Sequence, residues 1–263
     1  LSEQAIKISQ LDDHPSIVIV SINRPKQFNS ITIVVMDELI ATADAIAVDP
    51  DVRAVILTGE DTFFSSGADF SILASTMKEK NTTKSRAIGA KGARMCEAWE
   101  NLPQPTIVAI EGGIVGGGLA LGMACDWRIM GKSSYAYVPE VKMGVNFGWG
   151  SLPRLTNLVG APKAKYMSIM CEKHGAEECL NWGLADFVVD DGKALDQALE
   201  MAIKIAEFPT LPVQLIKRGV NVSANAIAKA SGYADMEDLL LCMKDEEASI
   251  YRMETIKKLQ GKK

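Results

Sequence analysis

Two periods of apolar residues alternate along the first two-thirds of the chain. Residues 16–22 (SIVIVSI) are rich in β-branched side chains and stop at Arg24-Pro25, which predicts a strand. Residues 34–48 carry apolar positions at helical spacing, with Asp37, Glu38 and Asp44 on the opposite face. Residues 52–58 (VRAVILT) predict a second strand, which runs into a polar, glycine-containing loop over 59–69. A helix is predicted over 84–101, closed by Pro103 and Pro105, and a short buried strand over 106–110. The segment EGGIVGGG comes next, then an apolar helix over 119–125 and strands over 127–130 and 135–138.

After Gly150 the pattern turns mainly helical. Helices are predicted over 163–171, 176–182, 193–208, 211–228 and 232–250, with one strand over 185–189. Strand–helix alternation giving way to helices predicts an α/β core with a helical appendage. The expected division is 1–195 for the core and 196–263 for the helical region.

Composition narrows the function classes. At 263 residues, with 48% hydrophobic and 23% charged, the chain suits one large or two small globular domains and excludes disorder for its body. No apolar run approaches a membrane span. The opening LSEQAIKISQLDD lacks a basic region followed by an apolar stretch, so the expected location is cytoplasmic, with a removed organellar leader as the alternative. A net charge of −5, with no basic block beyond KKLQGKK, argues against nucleic-acid binding. Five cysteines without a C-x-x-C pair read as free thiols of a reducing compartment. His14 and His174 are too few and too scattered for a zinc site, so no metal is expected.

Three segments carry candidate chemistry. Gly116-Gly117-Gly118 opens an apolar helix after a strand, where unpaired N–H groups and missing β-carbons let a ligand approach the backbone. It is neither G-x-G-x-x-G nor a P-loop, which removes the main support for a nucleotide-binding reading. In Phe64-Ser65-Ser66-Gly67-Ala68-Asp69-Phe70, small residues could offer the N–H of Ala68 to an anion, and Asp69 could cap the segment after it. In Tyr137-Val138-Pro139-Glu140, apolar neighbours should raise the pKa of Glu140 into a range suited to proton transfer. The bland alternatives are helix packing, an ordinary loop and a solvated turn glutamate.

Taken in order with INRP (22–25), AVILTG (54–59), Cys125-Asp126, LVGAPKAKYM (158–167) and WGLAD (182–186), these segments resemble the crotonase, or enoyl-CoA hydratase/isomerase, superfamily over nearly the whole chain. The resemblance implies a spiral of β-β-α units with a helical C-terminal region used for trimerisation, as a homotrimer or a dimer of trimers. It implies an acyl-CoA thioester as substrate, with coenzyme A as part of that substrate and no separate cofactor. The N–H groups of Ala68 and Gly117 would hold the thioester oxygen as it becomes an enolate, with Gly116 beside them. The backbone around Ser66, Ala68, Asp69 and Phe70 would line the adenine pocket, and Lys26 and Phe28 would border the CoA arm. Pro139 and Glu140 would face the acyl group.

The sequence departs from the pattern of the family's hydratases, which carry a second glutamate in G-G-G-x-E; here Ala120 stands at that place. A lone Glu140 suits Δ3-Δ2 enoyl-CoA isomerisation, which is the leading expectation. A hydratase lacking the second acid, a crotonase-type lyase or hydrolase, and a non-catalytic CoA-binding scaffold are the alternatives. Asn146, Phe147 and Trp149 lie where family members vary the acyl pocket, and Trp149 suggests a walled, short or cyclic acyl site, with plain core packing of the aromatics as the alternative. The segment 248–253 stands where members often carry a CoA cover; Lys257 or Lys258 could still meet a CoA phosphate, the alternative being exposed helix charges.

Overall fold

The computed structural model describes residues 4–226 and 234–260. Its frame is a six-stranded sheet in the order β1-β2-β3-β4-β6-β9. The strands are β1 (Ile6–Leu11), β2 (His14–Ile22), β3 (Ala54–Gly59), β4 (Thr106–Ile110), β6 (Trp127–Gly131) and β9 (Phe187–Val189). β1 pairs antiparallel with β2, and every later pair in this sheet is parallel. A three-stranded sheet joins β5 (Gly113–Val115), β7 (Tyr135–Tyr137) and β8 (Lys173–Gly175).

Both faces of the larger sheet are buried, which is why its central strands read as near-continuous apolar runs. Val18, Val20, Val55, Leu57, Val108 and Ile110 belong to the core that takes in α1 (Ile33–Ala47) and α3 (Thr82–Glu100) through Leu39, Met95, Cys96 and Trp99. The alternate residues Ile17, Ile19, Ala54, Ile56, Ile107, Ala109 and Ile129 meet α8 (Ala194–Ala206) through Ala194, Ala198 and Ala202. Alanines at every fourth position let α8 lie close on the strands. The expected division at 195 therefore falls inside a helix that packs on the sheet.

Several elements differ from the sequence pattern. β1 has no counterpart in that pattern, because most of its residues are exposed and polar residues interrupt it. The loop over 59–69 leads into α2 (Phe70–Lys78), where Asp69 is the expected cap and accepts from Ser71 N at 3.0 Å. α4 is Gly117–Met123, α5 Ser151–Val159, α6 Ala161–Met170 and α7 Ala176–Trp182. α9 spans Thr210–Ala224, and the last positions of the expected 211–228 helix lie outside the described residues. The expected helix over 232–250 is two helices, α10 (Asp235–Lys244) and α11 (Glu246–Gln260), with residues 232–233 outside the described residues. The break is at Asp245, extended at φ −68, ψ 131, whose Oδ1 accepts from Ala248 N at 2.8 Å.

Candidate functional site

The site forms where two loops are stitched together past the ends of the parallel strands. Ile31 N donates to Gly67 O (2.8 Å) and Asp69 N donates to Ile31 O (2.9 Å). Ser65 N donates to Gly113 O (3.1 Å), and Val115 N donates back to Ser65 O (3.0 Å). Asn29 ties the turn before them: its Nδ2 donates to Glu60 O and Phe63 O, and its Oδ1 accepts from Arg24 N. This bonding leaves Ala68 N without an acceptor among the described residues.

The glycine segment supplies a second free donor. Gly117 is the first residue of α4, so its N–H has no intrahelical partner. A β-carbon on Gly117 would lie 3.1 Å from Ala68 N, and one on Gly67 would lie 3.0 Å from Gly117 N. The two segments are thus in close approach, and their donors can serve one oxygen. Gly116 sits at φ +46, ψ −115, a conformation that only glycine adopts at low cost. A β-carbon there would also sit 2.5 Å from Glu140 Oε1.

Glu140 opens a single 3-10 turn, Glu140–Met143, after Pro139. Parallel pairing of β5 with β7, and Gly116 N donating to Tyr137 O at 2.9 Å, carry this turn to the glycine segment. The residue is partly accessible, but its Oε2 is shielded and has no hydrogen-bond partner among the described residues. Burial pushes the Glu140 carboxyl up to about 8. The raised pKa expected from its apolar neighbours is therefore present. The arrangement sets a proton carrier beside a pair of N–H donors, which is the equipment for forming and stabilising an enolate.

A cavity of about 920 Å³ opens over this arrangement. Ser66, Ala68, Asp69, Phe70, Gly116, Gly117, Pro139, Glu140 and Trp149 all line it, with Asn146, Phe147 and Ala120. Lys26 and Phe28 do not; both are exposed, Phe28 packs edge-on against Phe63, and Gln27 reaches the lining between them. The Asp69 carboxyl would be raised by burial, but hydrogen bonds from Ser71 and Ser30 and the charge of Arg24 hold it below its ordinary value. Lys257 and Lys258 are exposed in the last turn of α11.

Sequence reasoning missed two walls. One is the α3 face with Arg86, Ala87, Ala90 and Ala93, where small residues three apart leave room. The other is α10, through Asp235, Met236, Glu237 and Leu239. Arg86 Nη2 pairs with Glu237 Oε1 at 2.6 Å, and Gly150 N donates to Asp235 Oδ2 at 2.6 Å. Burial raises the Asp235 carboxyl, only partly opposed by the Gly150 N–H. The small-residue spacing on α3 was readable; the return of α10 to the same cavity was not.

Other reactive groups lie elsewhere. His174 is buried in β8 with Nδ1 3.0 Å from Glu178 Oε2, and neither histidine lines the cavity. Burial pushes the thiols of Cys96, Cys125 and Cys179 up to about 12, far from thiolate chemistry at neutral pH. Among the described residues no cluster of His, Cys, Asp or Glu could hold a metal ion, and no helix is long and apolar enough to cross a membrane.

An α/β fold presenting two N–H donors beside a shielded carboxyl oxygen is suited to enolate chemistry. Comparison with known proteins gives the family. Residues 12–257 match the enoyl-CoA hydratase/isomerase family, and the chain belongs to it, within the crotonase superfamily. The chain is 35% identical over 212 residues to a short-chain-enoyl-CoA hydratase of Clostridium acetobutylicum, covering 80% of each. An enoyl-CoA hydratase structure from Bacillus anthracis is 31% identical with a TM-score of 0.77, covering 98% of this chain and 94% of that one. A monofunctional enoyl-CoA isomerase structure from M. smegmatis is 27% identical with a TM-score of 0.71, covering 84% and 94%. The protein is an enzyme of enoyl-CoA hydratase/isomerase type with the crotonase fold.

Proposed function

We propose that the protein interconverts Δ3- and Δ2-enoyl-CoA thioesters with Glu140 as its sole acid–base. Glu140 removes a proton from C2 of a 3-enoyl thioester. The electron pair moves through C2–C3 and the thioester carbonyl, and the oxygen of the dienolate rests between the N–H groups of Ala68 and Gly117. The same carboxyl returns the proton to C4, leaving the double bond at C2–C3. An oxyanion hole suits this step because the charge develops only during reaction, and losing one donor typically costs about a hundredfold in rate. Ser66, Asp69 and Phe70 border the CoA moiety in this reading, with Lys26 and Phe28 along its arm.

The observation that carries the proposal is the isolation of Glu140. Ala120 lines the cavity where the family's two-glutamate hydratases place their second acid. The other cavity carboxylates have partners: Asp69 accepts from Ser71 N and Ser30 Oγ, Glu237 from Arg86, and Asp235 from Gly150 N. A single group with a pKa near 8 can both take and return a proton near neutral pH.

The second reading is hydration of a 2-enoyl-CoA, favoured by the names of relatives such as the Clostridium hydratase. One mass-spectrometric assay separates the two. A 3-enoyl-CoA incubated with the enzyme in deuterated water should give a 2-enoyl product that gains deuterium without adding water. Water addition would favour the hydratase, and release of free CoA a hydrolase. The exposed apolar side of α9 further supports assembly as a homotrimer or a dimer of trimers.

A further inference from the structure

We infer that Trp149 determines acyl specificity, and that it selects flat acyl groups, conjugated or aromatic, over puckered ones of the same size. The inference rests on the acyl-CoA reading above and adds the shape of the acyl group to it.

The position of the indole is defined by two glycines. A β-carbon on Gly92 of α3 would strike the shared ring bond of Trp149, at Cε2 and Cδ2, together with Nε1. One on Gly117 would strike the outer edge, at Cζ3 and Cη2. The ring therefore lies face-on against α3 and edge-on against the residue that offers the oxyanion donor. Trp149 also lines the cavity, so its remaining face is turned to the space beside the thioester position.

The backbone holds the ring there against its own preference. Trp149 adopts φ +63, the left-handed region, which is strained for a bulky side chain. Such a conformation persists only where the surroundings over-determine it. Arg154 supplies one anchor: its Nη1 donates to Trp149 O (3.0 Å) and Gly150 O (3.1 Å). Arg154 is itself fixed by Glu100 in a pair whose side chains are 9% and 12% exposed. Asp235 supplies the other by accepting from Gly150 N. A rigid ring whose edge meets Gly117 and whose free face lines the cavity, next to the Gly116 that adjoins Glu140, favours planar groups stacked on that face and keeps out substituents that project from their plane.

The test compares benzoyl-CoA with cyclohexanecarbonyl-CoA, rings of equal size that differ in flatness. Their dissociation constants are measured by calorimetry in wild type, Trp149→Leu and Trp149→Phe. Taking the ratio within each variant cancels any general loss of CoA binding. About a tenfold preference for benzoyl-CoA is expected in wild type. It should fall below threefold in Trp149→Leu and be largely kept in Trp149→Phe. A wild-type ratio below threefold, or an unchanged ratio in Trp149→Leu, overturns the inference while leaving the acyl-CoA reading intact. If neither these thioesters nor hexanoyl-CoA binds wild type, the acyl-CoA reading falls and this inference falls with it.

Discussion

At the residue scale, Glu140 as the proposed acid–base should carry a pH signature set by its environment. The carboxyl must be ionised to accept the C2 proton, so kcat/KM should rise with pH and level off above about 8. A profile flat from pH 6 to 9 would remove Glu140 as the base. Glu140→Gln should lower turnover by at least about a thousandfold with little change in thioester affinity, since the amide keeps the shape but cannot take the proton. Stability should move the other way. The folded state holds this proton more tightly than the unfolded chain between about 4.5 and 8, so wild-type stability falls as pH rises through that window. The melting temperature of Glu140→Gln should therefore exceed that of wild type most clearly at pH 9. The raised pKa was legible in the sequence because the neighbours of Glu140 are apolar. The contact of Trp149 with Gly92 was not, because 57 positions separate them.

At the element scale, the turn that carries Glu140 is braced from the C-terminus. Arg252 of α11 is 3% exposed. Its Nε donates to Met143 O at 3.1 Å, and its Nη2 reaches Gly144 O (3.4 Å) and Cys242 O (3.3 Å). One guanidinium thus joins α11, the end of α10 and the turn that carries Glu140. Arg252→Met should lower kcat by about tenfold or more and shift the kcat/KM profile toward lower pH as Glu140 gains water. Loss of stability with an unchanged profile would make Arg252 a purely structural residue. Periodicity over 232–250 predicts one unbroken helix, yet Asp245 followed by Glu246 and Glu247 is a helix-start signal. β1 gave no such signal: it exists because the edge of β2 offers it a ladder, from Ile6 against Ile22 to Leu11 against His14.

For the whole molecule, α9 poses the main energetic question. It is fastened to the core through polar contacts: Lys217 Nζ lies 2.7 Å from Asp126 Oδ2 and donates to Gln104 O at 2.8 Å, and Asn221 Nδ2 donates to Glu100 O. Its apolar side chains Leu211, Leu215 and Val222 are left exposed, Val222 to 68%. A row of such residues on one helix face is unfavourable in water unless another subunit covers it. For the proposed homotrimer or dimer of trimers, sedimentation should give about three times the 28.4 kDa chain mass, or twice that trimer mass. The double variant Leu211→Glu, Val222→Glu should reduce the mass to that of one chain. A single-chain mass for wild type would leave the face without this role, as would an intact trimer in the variant.

The sequence by itself determined the alternation of strands and helices, the two glycine-bearing loop segments, a glutamate at 140 with alanine at 120, and the family they resemble. Each of these is written in short stretches, through side-chain period, glycine placement and capping residues. Only the tertiary structure decided which stretches share one cavity. Gly116 meets Glu140 across 24 positions because β5 and β7 pair in parallel. α10 reaches the site because Gly150 and Asn146 bind Asp235. Trp149 fits between Gly92 and Gly117 because these two distant glycines leave space for a ring. Such meetings depend on the closing of long loops and on the exclusion of water from shared surfaces, and no local pattern in the chain records them.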